Sequence, residues 1–365
     1  MSNFKLVTFR LLTVFIVITQ FKDISSVSSI KKLYAVLSNR QTTSTITKAQ
    51  NYQVAPGINY EYLYTRGSNN NSSKPTMLFL HGFPSSFHSW RHQIDYFSRQ
   101  GYDCLAPNMM GYGRTYSPLN VREYKSKAMV DHLITLLNYL QVNKVIVVGH
   151  DWGTRTAGRF LLHRPERTVG VVLISGSYNA PALFDLDRAL EASTKAFGYE
   201  IYGHWKFFEA NDAAKLIENN IEGFMDLVFA SDPTLWKTNF APVGKVREWV
   251  VNKNKTTRGA YMTANDYEIL RQYHAEGMQP KLNWFKMMIA NNDWEDEKNL
   301  NPVLQRPVLY LGGKKDYVSV ISAYGGPSQY IADLQTCPLD TGHWVMEEDP
   351  QGVNGIIERW IKRIQ

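Results

Sequence analysis

From residue 58 onward, short apolar runs alternate with amphipathic stretches. Ile58 to Thr65 alternates polar and apolar residues toward a strand. Residues 67–74 are a turn of Gly, Asn and Ser. Met77 to Leu80 and Tyr102 to Ala106 are apolar strands, and between them Trp90 to Gln100 has helical spacing, closed by Gly101. Residues 123–141 put Met129, Leu133, Leu136, Leu137 and Leu140 on one helical face. A strand over 144–148, a helix over 153–163 and a strand over 169–174 follow. The alternation predicts an α/β fold with a mostly parallel sheet and helices on both faces. It stops at Ser175: residues 178–297 are helical in character and rich in Tyr, Trp, Phe and Met. Strands return at Val308 to Leu311 and Leu334 to Pro338. A last helix, 351–364, aligns Val353, Ile356, Ile357, Trp360, Ile361 and Ile364. The predicted organisation is a leader over 1–50, a first core part over 51–177, a helical cap over 178–297 and a second core part over 298–365.

Composition changes this picture only at the N-terminus. The net charge of +7 is partly concentrated in the first 50 residues, where seven Lys and Arg face one acid, Asp23. The folded part has no basic stripe, which argues against a nucleic-acid partner. Leu11 to Thr19 is apolar, follows Lys5 and Arg10, and precedes Ser25, Ser26, Ser28 and Ser29. It is short beside the roughly 20 residues of a membrane span. The pattern predicts a signal peptide and the secretory pathway. A mitochondrial transit peptide, an uncleaved membrane anchor at the endoplasmic reticulum and a cytoplasmic location are the alternatives. Cys104 and Cys337 lie far apart in strand-like stretches and read as free thiols, with no disulfide framework or metal site.

The chemistry centres on Gly149-His150-Asp151-Trp152-Gly153. A β-branched run ending in small-x-acid-x-small marks a strand that turns sharply into a helix. Glycines flank the turn because a larger side chain would clash. The middle residue of such an elbow is commonly Ser or Cys. Here it is Asp151, and a carboxylate attacking carbon makes an alkyl ester rather than an acyl-enzyme. Asp151 is also open to a plainer reading, a helix N-cap. Glycines two residues to either side serve the elbow and not a cap.

A nucleophile of this kind needs a base, an orienting acid and donors for the oxyanion. His343, in Gly342-His343-Trp344, sits between the last strand and the last helix, where it can reach the tip of the central strand. His81 and His150 read as buried scaffold groups. Asp316, in the loop after the strand at Val308, fits the orienting acid. Asp340 competes but is only three residues from His343. His81-Gly82-Phe83-Pro84 follows the first core strand, and the backbone N–H groups of Phe83 and Trp152 suit an oxyanion hole.

These motifs, with Gly111-Tyr112-Gly113 and Lys315-Asp316-Tyr317-Val318, make the chain from about Tyr60 onward resemble an α/β-hydrolase-fold epoxide hydrolase. The resemblance implies two cap tyrosines that hold and protonate the epoxide oxygen. The first falls in a Tyr-x-x-Tyr segment, and Tyr199-Glu200-Ile201-Tyr202 matches it with Tyr199 in the role. The second belongs eight residues before a Gly that precedes an Asn-Trp pair. Gly277 and Asn283-Trp284 fit, but that position is Ile269. Tyr267 and Tyr273 are nearest, with Tyr267 the candidate, unless the site has one tyrosine donor.

The expected reaction opens a small hydrophobic epoxide to a vicinal diol. Asp151 forms the ester, water activated by His343 and Asp316 hydrolyses it, and no cofactor or metal takes part. A haloalkane or haloacid dehalogenase uses the same acid, base and acid, but needs halide donors where the cap tyrosine stands. A non-catalytic α/β-hydrolase-like binding protein is the third reading; such proteins have typically lost one of the three groups, and this chain keeps all three.

Overall fold

The computed structural model describes residues 48–68, 74–322 and 329–365. The segment read as a leader lies almost wholly outside the described residues. Among those described, no helix is long and apolar enough to cross a membrane.

Among the described residues, eight strands form one sheet: β1 (Gln50–Ala55), β2 (Ile58–Thr65), β3 (Thr76–Leu80), β4 (Cys104–Pro107), β5 (Val145–His150), β6 (Thr168–Ile174), β7 (Val308–Gly313) and β8 (Leu334–Leu339). Their order is β1-β2-β4-β3-β5-β6-β7-β8. β1 and β2 pair antiparallel, as do β2 and β4, and all other neighbours are parallel. Strands buried on both faces must be apolar throughout, which explains the unbroken Val145–Val148 and Val171–Ile174 runs. β1 escapes the sequence pattern because it is an edge strand whose positions are mostly exposed, with only Val54 buried.

Two helical layers cover the sheet. Ser126–Tyr139 packs on Trp152–His163, and Arg91–Arg99 packs on Pro350–Ile364. The predicted apolar stripes point inward: Met129, Leu133, Leu136 and Leu137 are buried on the first, Val353, Ile357, Trp360 and Ile361 on the last. Asp349 caps the last helix by accepting from the Gly352 N–H at 2.8 Å.

Between β6 and β7 the chain leaves the sheet for a run of helices extending from Leu186 to Glu297. One turn there, Trp236–Phe240, is π-helical. A π turn widens the helix by one residue and re-aims its side chains, and such turns are frequent at functional sites.

The parallel strands β3, β5, β6, β7 and β8 end along the same edge of the sheet. In an open α/β sheet this carboxyl edge is where ligands bind. The loops after these strands carry Phe83, Asp151, Ser175, Asp316 and His343.

Candidate active site

Asp151 follows the last residue of β5 and has φ +52° and ψ −122°. A non-glycine residue rarely sits at positive φ, and such strain persists only where the surroundings impose it. The imposing residues are the flanking glycines. A Cβ on Gly149 would run into the Gly153 carbonyl, and one on Gly153 would run into the Leu80 carbonyl at the end of β3. Asp151 makes no side-chain cap to the helix that follows, so the N-cap reading does not hold. Its Oδ1 instead accepts from the Phe83 N–H at 2.8 Å, and the Trp152 N–H also supports the carboxylate. Burial raises the Asp151 carboxyl above its ordinary value, against the pull of His343 and these two N–H groups.

His343 lies 4% exposed on the loop after β8. Its Nδ1 stands 2.7 Å from Asp316 Oδ2, and its Nε2 stands 3.7 Å from Asp151 Oδ2. Asp316 is fixed in turn, its Oδ1 accepting from the N–H groups of Val318 and Ser319 at 3.0 and 2.9 Å. Burial alone would lower the His343 imidazole, but Asp316 and then Asp151 outweigh it and hold it above its ordinary value. Asp340 plays no part: it is exposed and pairs with Lys315.

The backbone around His343 is clamped. Its carbonyl accepts from Ser175 Oγ at 2.7 Å and from His150 Nε2 at 3.0 Å. Glu348 accepts from the N–H groups of Gly342 and Trp344 on either side. His81 is likewise a scaffold group: its Nε2 accepts from the Met109 N–H at 2.9 Å, and burial lowers the ring to about 4.

A cavity of about 530 Å³ opens over Asp151 and His343. Its apolar wall includes Phe83, Trp152, Trp236, Phe240 and Phe285. Trp236 lies against the His343 ring with centroids 4.7 Å apart, so the π turn sets one wall around His343. Arg155 and Arg159 also reach the cavity, with their charges met by Asp293 and Glu297. Among the described residues no three His, Cys, Asp or Glu gather closely enough to hold a metal ion.

The cap tyrosines need correction. Tyr199 does not line the cavity; its hydroxyl donates to the Tyr317 carbonyl at 2.9 Å. Tyr202, three residues on, does line it. The segment between the helices Leu186–Phe197 and His204–Glu209 is a turn, so a three-residue step does not keep the two rings on one face. Tyr267 is also outside the cavity wall, packed under the Arg258 guanidinium at 3.6 Å. Tyr273 is held elsewhere, its ring edge-on to Phe87. The cavity gains instead Tyr202, His204, Trp205, Trp236 and Phe240. Of these, only Tyr202 had a signal in the sequence, as the other member of the Tyr-x-x-Tyr pair.

The alpha/beta hydrolase fold family matches residues 75–350. Epoxide hydrolase 3 of Siraitia grosvenorii is 40% identical over 312 residues, which are 79% of this chain and 92% of that protein. Bifunctional epoxide hydrolase 2 of Mus musculus is 28% identical over 317 residues, 85% of this chain and 54% of that protein. The chain thus spans about half the length of the mammalian relatives it matches. Among solved structures, an epoxide hydrolase from an endophytic Streptomyces has a TM-score of 0.74 at 24% identity, covering 87% of this chain and 96% of that one, a likeness of fold. The family match over most of the core, together with 40% identity across nearly the whole of a relative, settles the kinship: the chain belongs to the α/β-hydrolase-fold family and, within it, to the epoxide hydrolases.

Proposed function

We propose that the protein opens epoxides to vicinal diols in two half-reactions. The observation that carries this reading is the carboxylate of Asp151 at the floor of the cavity, in a line with His343 and Asp316. In the first half, a carboxylate oxygen of Asp151 attacks an epoxide carbon. The carbon–oxygen bond breaks, and its electron pair goes to the ring oxygen. Tyr202, the second tyrosine of the Tyr-x-x-Tyr segment and a residue of the cavity wall, supplies the proton. In the second half, His343 takes a proton from water, and the hydroxide adds to the ester carbonyl. The oxyanion rests on the N–H groups of Phe83 and Trp152. Collapse releases the diol with a proton from His343. The proton left on Asp151 returns through solvent to Tyr202, so the sum is one water added across the epoxide.

The 3.7 Å separation of His343 Nε2 from Asp151 suits this sequence. It is too long for a hydrogen bond that would lock the base onto the nucleophile. The aromatic wall favours a hydrophobic substrate.

One observation keeps the dehalogenase reading in play. Trp152 and Trp205 both line the cavity with centroids 5.2 Å apart, and two indole N–H groups are the donors a leaving halide needs. Turnover of an aryl epoxide, lost in Asp151→Ala, is the expected result. Turnover of a chloroalkane with no action on the epoxide would overturn the proposal.

A further inference from the structure

His343 has farther to reach than its partners. In the order β5-β6-β7-β8, the strand before it lies three places from the strand that ends at Asp151. Neighbouring strands stand about 4.8 Å apart, so the loop after β8 must come back by about 14 Å to bring the imidazole to Asp151. Past Leu339 the chain has left the sheet, and no ladder holds His343 there. It is held instead by its own carbonyl. A carbonyl oxygen has two lone pairs, and this one accepts two side-chain bonds, from Ser175 Oγ at 2.7 Å and from His150 Nε2 at 3.0 Å.

Ser175 is the first residue after β6 and has φ +49°. A serine rarely occupies this left-handed region, and such strain persists only where the surroundings impose it. Here the residue is tied on two sides. Its N–H donates to the Leu311 carbonyl on β7 at 2.9 Å, and its hydroxyl donates to His343. Ser175 borders the cavity but is 0% exposed, so its hydroxyl acts on His343 and not on a substrate. Burial holds the His150 imidazole well below its ordinary value and hence neutral, so its Nε2 carries the hydrogen that reaches the carbonyl. That ring also packs on His343 and Trp344, at 4.8 and 5.1 Å between centroids. Ser175 is therefore the member of the clamp whose hydrogen bond can be removed without removing a ring.

Resting on the two-step epoxide reading above, we infer that Ser175 is a positioning residue of the second half-reaction: its hydroxyl fixes the main chain of His343 so that the imidazole keeps its 3.7 Å gap to Asp151. With Asp316 holding Nδ1, the residue is then fixed at both its main chain and its ring. Attack on the epoxide does not use the imidazole. Hydrolysis needs Nε2 aimed at a water beside the ester carbonyl. Loosening the main chain lets the ring drift, and a drift of about 1 Å in a reacting group can cost about 10²-fold in rate. No atom of Ser175 enters the reaction.

The test separates the two halves by rapid-quench mass spectrometry of the ester on Asp151, with styrene oxide as the probe. Ser175→Ala removes the hydroxyl and keeps the backbone strain. Ser175→Gly removes the hydroxyl and relieves the strain at φ +49°. The expected result is ester hydrolysis about 10–100-fold slower in both variants, with ester formation within about threefold of wild type. Wild-type hydrolysis in either variant would overturn the inference, since the hydroxyl would then be dispensable. Equal slowing of both half-reactions would do the same, because that is what a general loosening of the site produces. If the Ala variant does not fold, the Gly variant, free of the strain, makes the same comparison. Wild-type enzyme that forms no ester with the epoxide would overturn the epoxide reading itself, an outcome visible before any variant is made.

Discussion

His343 and Asp151 face each other across 3.7 Å, while His343 and Asp316 close to 2.7 Å. His343 is thus held tightly by Asp316 and loosely by Asp151. This asymmetry suits the proposed role of His343, which begins only after Asp151 has been esterified.

The two halves of the proposed cycle should therefore separate by mutation. His343→Gln is expected to leave ester formation within about tenfold of wild type and to slow ester hydrolysis by about 10²–10⁴-fold. The ester should accumulate as an added mass equal to the epoxide on the peptide containing Asp151. Asp316→Asn, which loses the acceptor for the Nδ1–H, should do the same to a lesser degree. Loss of ester formation in both variants would contradict the assignment.

The pH dependence follows from the charges around the ring. Asp316 and Asp151 hold the His343 imidazole above its ordinary value of 6.5 in the free enzyme. In the proposed reaction esterification removes the Asp151 charge, so the imidazole should fall in the intermediate. Protonated His343 cannot accept a proton, so hydrolysis is lost as pH drops through its pKa. The acid limb of single-turnover ester hydrolysis should therefore lie at lower pH than the His343 titration in the free enzyme, followed by NMR of the ring protons. Coincident midpoints would show that Asp151 does not act on the base.

Asp151 should cost the fold stability. Its folded pKa is raised by burial, so the folded protein holds the proton more tightly than the unfolded chain does. Stability falls as pH rises from the unfolded pKa through the folded one, and the full cost is present at neutral pH. Asp151→Asn removes the charge and keeps a residue type tolerant of φ +52°. It should abolish turnover and stabilise the protein by roughly 0.5–2 kcal/mol at pH 7.5, read as a higher denaturation midpoint. An unchanged or lower midpoint would mean that pairing with His343 offsets the burial.

The two tyrosines of the turn should behave oppositely. Tyr202→Phe is expected to slow ester formation by at least about tenfold. Tyr199→Phe loses a bond to the Tyr317 carbonyl outside the cavity wall, so turnover should stay within about threefold. Steady-state kinetics on one aryl epoxide decides between them; the reverse order would restore Tyr199 as the donor.

The sheet and its edge were legible because their causes are local. A strand buried on both faces must be apolar, and an elbow that packs against Leu80 and Gly153 must carry glycines. The expected places of Asp316 and His343 follow from loops after consecutive strands, and the structure brings both to Asp151. The cap was not legible in this way. Tyr199 and Tyr202 differ only in how a non-repeating turn aims them, and no period in the sequence encodes that. Trp236 and Phe240 reach the cavity through a π turn, whose extra residue breaks helical phase.

In the proposed reaction the oxygen delivered to the substrate comes first from Asp151. A single turnover of an aryl epoxide, with enzyme in excess, in water labelled with heavy oxygen tests it directly. The expected diol carries no label, and the peptide containing Asp151 carries one heavy oxygen. A first diol that carries the label, with Asp151 unlabelled, would mean that water attacks the epoxide directly and that the ester does not form.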